Sequence, residues 1–121
     1  MGTYNTTSHA KFRLKYHIIL TTKYRKNCLS PTVRDTIRYA FECSKTNDFT
    51  IELCEFDDSK PNYVHLLIQT KPHISPSQAV SRVKQYSTTY VWKGNREEML
   101  LYYWGNMHKW WTQGYFVCTV G

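Results

Sequence analysis

The chain has 121 residues, 41% apolar and 21% charged, enough for one hydrophobic core and too few for two. Sixteen Lys and Arg against nine Asp and Glu give a net charge of +7, a balance that favours a polyanionic partner. No apolar run approaches the roughly 20 residues that span a bilayer, and Met1-Gly2-Thr3-Tyr4 opens no signal peptide; the expectation is a cytoplasmic protein with no membrane partner.

Residues 1–9, rich in Thr, Ser and Asn, read as a flexible N-terminal arm, and residues 10–121 as a single domain. Lys11, Arg13, Lys15, Lys23, Arg25 and Lys26 fall in the first thirty residues, which contain no Asp or Glu. Residues 13–22 alternate as a strand, with Leu14, Tyr16, Ile18 and Leu20 on one face. Ser30-Pro31 supplies an N-cap and a first-turn proline. Val33, Ile37, Ala40, Phe41 and Ser44 then recur at helical spacing to about Thr46. Phe49–Phe56 is a second strand, rich in β-branched and aromatic residues. After an Asp57-Asp58-Ser59-Lys60-Pro61 turn, Tyr63–Gln69 is the third.

Ser75-Pro76-Ser77-Gln78 is a capping box that opens a second helix through Val83, Tyr86, Tyr90 and Val91, broken at Gly94-Asn95. Tyr86 and Tyr90 are assigned to its core-facing stripe. Residues 95–113 carry no clear period. Tyr115–Val120 is apolar on both faces and is read as a central strand. The order βαββαβ predicts an α+β, ferredoxin-like fold: a four-stranded antiparallel sheet with two helices on one face.

Cys28, Cys43, Cys54 and Cys118 include no Cys-x-x-Cys pair, which disfavours zinc or dithiol chemistry and fits a reducing compartment. No Ser-His-Asp triad, Cys-His pair at diagnostic spacing or Gly-rich phosphate loop is present. The informative stretch is Pro61-Asn62-Tyr63-Val64-His65-Leu66-Leu67-Ile68. Tyr63 and His65 project from the same face of its strand, and a histidine in so apolar a run needs a polar partner. His9, His17, His73 and His108 are assigned to surface or packing roles.

This strand resembles the His-hydrophobe-His (HUH) motif of the single-tyrosine transposases of the insertion-sequence 200/605 group, with Tyr63 in the first histidine's place. Three further blocks resemble the family in the same order: Lys15–Lys26, the segments Ile74–Gln78 and Arg82–Thr88, and Trp111–Gly121. The resemblance implies metal-dependent DNA transposition and recombination by dimers that bind hairpins in single-stranded DNA. It also implies Mg or Mn as cofactor, a nucleophilic tyrosine on a helix after the last strand, and a third ligand there, often Gln. This sequence reaches Gly121 without that helix, so the expected domain is truncated before it, with no catalytic residue assigned.

The metal position falls on His65 and, as an uncertain ligand, Tyr63; metal affinity is expected to be weak or absent. Nucleic-acid binding falls on Lys11, Arg13, Lys23, Arg25, Lys26, Arg82, Lys84, Gln85, Lys93 and Arg96. The leading expectation is a hairpin-binding chain degenerate for strand cleavage. The alternative is a non-catalytic regulator that forms a homodimer, or a heterodimer with an intact transposase.

Overall fold

A computed structural model describes residues 13–104 and 109–120; the proposed arm over 1–9, Lys11, and the side chains of His9 and His108 lie outside them. Strict alternation makes the first strand, β1 (Leu14–Thr21): Tyr16, Ile18 and Leu20 are buried, while Lys15, His17, Ile19 and Thr21 face the other way. Leu14, expected on the core face, is 41% exposed at the first position of the strand. Strand β3 (Tyr63–Thr70) repeats the pattern, burying Val64, Leu66 and Ile68 and leaving Tyr63, His65, Leu67 and Gln69 half-buried on the open face. Full burial of each such aliphatic side chain stabilises the fold by about 1.5–3 kcal/mol.

Strand β2 (Phe49–Phe56) flanks β3, and β4 (Phe116–Val120) flanks β1, giving the antiparallel order β2-β3-β1-β4 expected of a ferredoxin-like chain. A bulge between Ile51 and Leu53 resets the phase of β2. As a result Cys54 and Phe56 pack on the core while Glu55 stands opposite His65.

Helix α1 (Pro31–Ser44) buries the stripe read from sequence, Val33, Ile37, Ala40, Phe41 and Ser44. Ser30 accepts the Val33 N–H at its start, and Glu98 in turn receives the Ser30 and Thr32 hydroxyls. Helix α2 (Pro76–Gly94) carries the full Ser75/Gln78 capping box. Its buried stripe is Ala79, Val80, Val83, Ser87, Val91 and Trp92, not the tyrosines. Tyr86 is 39% exposed and Tyr90 meets Tyr39 edge-on; each precedes a buried residue, Ser87 and Val91, by one position, about 100° around the helix.

Two further findings depart from the sequence reading. Strand β4 is an edge, not a centre: all five residues are exposed and its place beside β1 ends the sheet. Residues 95–113 contain a short helix α3 (Arg96–Met99), a turn, and two indoles, Trp110 and Trp111, that complete the core. Trp111 donates its Nε1–H to Ser87 Oγ at 2.8 Å, so a polar position in the helix stripe anchors this connection. Thr112 N–H bonds to Thr21 O and Lys23 N–H to Trp110 O, extending the edge past β1.

Candidate functional site

The β1–β3 register sets Ile19 opposite His65 and Thr21 opposite Tyr63. His17, two residues from Ile19 on the same face, therefore lies diagonal to His65. Its Nδ1 is 2.9 Å from His65 Nε2, with ring centroids 4.9 Å apart and planes 23° apart. One ring donates an N–H and the other accepts it. This is the polar partner that His65 required, and it corrects the assignment of His17 to a surface or packing role. The strand phase was readable, because both histidines sit between core positions; the register that joins them was not.

Tyr63 is engaged elsewhere. Its hydroxyl donates to Asp57 Oδ2 at 3.1 Å, and that carboxylate raises the phenol's pKa above its ordinary range. Asp57 is held below the ordinary carboxylate range by the Ser59 hydroxyl and N–H and then by Tyr63. Position 63 thus presents a neutral donor rather than a metal-binding anion. Among the described residues no group of three or more His, Cys, Asp and Glu is assembled to hold a metal ion. A hard ion such as Mg²⁺, which prefers oxygen ligands in an octahedron, does not fit a pair of imidazoles beside a protonated phenol.

The basic residues separate into groups. Lys23 from the turn after β1 and Lys84 and Gln85 from α2 meet around a cleft of about 620 Å³, where Lys109, Trp110 and Trp111 form the rest of the wall. Lys84 is half-buried there and donates to Thr112 O at 2.7 Å and Gln113 O at 3.0 Å. Desolvation lowers its pKa below the ordinary lysine value. Its first task is to pin the connection to β4. Lys109, unpredicted, is the cleft's further cation; its signal was a lysine beside a Trp-Trp pair in a stretch without period.

Arg25 lines a second cleft of about 600 Å³ with Lys60, Asn27 and Asn62, next to Tyr63. The turn bearing it is strained: Tyr24 and Arg25 have φ of 58° and 51°, left-handed values that non-glycine residues rarely adopt. Lys26 is exposed beside it. Arg13 and Arg82 are remote, at the Thr70 end of the sheet, where Arg13 donates to Asn47 O and Arg82 lies over Phe49. Lys93 and Arg96 flank the C-terminal end of α2, Arg96 over the Trp92 ring. No helix of the described residues is long and apolar enough to cross a membrane.

Comparison with known proteins fits this arrangement. Residues 10–121 match the family model described as "Transposase IS200 like". The transposases for insertion sequence element IS200 of Salmonella typhimurium and Salmonella typhi are each 24% identical over 125 residues, covering all of this chain and 76% of theirs. A crystal structure of a provisionally assigned transposase from Deinococcus radiodurans R1 superposes with a TM-score of 0.72 at 25% identity, over 91% of this chain and 81% of that one. With the family model spanning nearly its whole length, this chain belongs to the IS200-like transposase family.

Proposed function

We propose that this chain binds hairpins in single-stranded DNA during transposition and is degenerate for strand cleavage. The observation that carries the reading is the cleft in which Lys23, Lys84 and Gln85, from two distant segments, meet Lys109. Ammonium groups on its wall neutralise phosphates, and a recess of that size accepts an unpaired nucleotide that a regular duplex does not present. The loss of cleavage is supported by Tyr63, whose hydroxyl is donated to Asp57, and by a donor set unsuited to a hard metal ion.

Replacing Lys23 and Lys109 singly with Ala tests the reading, using a labelled hairpin with a single-stranded flank. Each change is expected to weaken binding and to reduce the slope of log affinity against log salt by about one. Unchanged affinity and slope in both variants would remove the cleft from the interface.

A second reading, a regulator that pairs with another copy or with an intact transposase, is favoured by β4. This edge strand exposes Phe116, Val117 and Val120 at 62%, 37% and 41% and leaves one side of its backbone beyond the sheet order. Strand addition across such an edge satisfies main-chain groups and covers apolar side chains. A mixed dimer with lower activity than the intact homodimer is the outcome this reading predicts.

A further inference from the structure

We propose that Tyr24 is a stacking residue for an unpaired nucleotide of the hairpin's single-stranded flank, an inference that rests on the DNA-binding reading above. An exposed tyrosine is ordinary by itself. What sets this one apart is the backbone beneath it. Tyr24 and Arg25 are consecutive left-handed residues, at φ of 58° and 51°, in a turn without glycine. Residues with a Cβ adopt that region at a cost, and two in succession persist only where the surroundings impose them. Here they do. Thr22 N–H bonds to Asn62 O at 2.8 Å and Lys23 N–H to Trp110 O at 2.7 Å, tying the entry of the turn to two separate segments. The Thr22 hydroxyl donates to Lys26 O at 2.7 Å and closes the turn, while the Tyr103 hydroxyl donates to Lys23 O at 2.9 Å. None of these bonds draws the Tyr24 ring inward, and the residue stays 67% exposed. The strained backbone is held in a form that presents an aromatic face to solvent.

The neighbours of the ring suit an unpaired nucleotide. Lys23 lines the larger cleft and Arg25 the second, so Tyr24 stands in the chain between the cations of two recesses. Two residues span at most about 7 Å, so a strand that meets both cations passes the ring. The Lys23 ammonium lies 5.5 Å from the ring centroid, where it is placed to neutralise the phosphate beside a stacked base. Lys26 is exposed at the end of the same turn. Every base has a π-face, so such a contact is indifferent to sequence. It does discriminate structure: the faces of a base inside a stem are covered by its neighbours, whereas those of a flanking base are open. The ring therefore reads the flank and not the stem.

The test is an anisotropy titration of the full chain against two labelled hairpins, one with a single-stranded flank and one blunt, over a range of salt concentrations. Tyr24→Leu is expected to weaken binding of the flanked hairpin by about tenfold, the loss of one stacked base. It should leave the blunt hairpin and the slope of log affinity against log salt unchanged, because no phosphate contact is removed. Tyr24→Phe keeps the ring and should retain the affinity. Tyr24→Gly relaxes the left-handed turn, so it should lose the same tenfold on the flanked hairpin without a lower melting temperature, which separates the role from a structural one. Flanked-hairpin affinity indifferent to Tyr24→Leu, an equal loss on both hairpins, a reduced salt slope, or a loss as large in Tyr24→Phe would overturn the stacking role and leave the cleft reading standing. Failure of the unaltered chain to bind either hairpin would instead remove the DNA-binding reading, and this inference with it.

Discussion

At position 63 a phenol stands where the resembled motif has an imidazole, and Asp57 determines what it does there. The hydroxyl–carboxylate bond ties the start of β3 to the preceding turn. Meanwhile His65 turns to a partner on β1 instead of one along its own strand. The cysteines show the same dependence on surroundings. Burial pushes the Cys28 thiol up from its ordinary 9.0 to about 11, and Cys54 up to about 12, while Cys43 and Cys118 are exposed. Brief treatment of the folded protein with iodoacetamide at pH 8, read by mass spectrometry, is expected to label Cys43 and Cys118 and spare Cys28 and Cys54. Prompt labelling of Cys28 would show that the core around Tyr103 opens readily. Because the folded state holds the Cys28 proton more tightly than the unfolded chain, its contribution to stability is full below pH 9. That contribution is lost as pH rises from 9 through about 11.

Among the elements, β4 most directly links sheet architecture to assembly. An apolar sequence on both faces is common in strands covered on both sides, but does not by itself say whether this strand is covered. Within one protomer neither face of β4 is covered. Phe116→Lys, on the exposed edge, is expected to shift the protein toward monomer by light scattering at a given concentration, with the fold retained by circular dichroism. An unchanged mass distribution would place any self-association elsewhere.

Where local composition and capping decide an element, the sequence was sufficient: α1, β2 and the start of α2 follow from Ser30-Pro31, Phe49–Phe56 and the Ser75 capping box. It failed at Tyr86 and Tyr90, where aromatic character outweighed a one-position offset from the buried stripe. It also failed at Trp110 and Trp111, whose burial depends on long-range bonds to Ser87 and Lys23. The His17–His65 contact was hidden for a related reason: strand register is a pairwise property that neither segment carries by itself.

For the whole molecule, the net charge of +7 does not lie evenly over the sites. Lys23, Lys84 and Lys109 gather at one cleft, and Arg25 with Lys60 at another beside the open face, while Arg13 and Arg82 serve the far end of the sheet. Under the proposed DNA-binding reading, phosphates are met at defined places rather than over the entire surface. The measurement that tests this most directly is a native-gel titration of the protein against a labelled hairpin with a single-stranded flank. An unstructured strand and a duplex of equal length run beside it at low and high salt. The account predicts a preference for the hairpin that persists at the higher salt. Equal binding to all three that collapses together as salt rises would contradict it, leaving charge alone as the source of affinity.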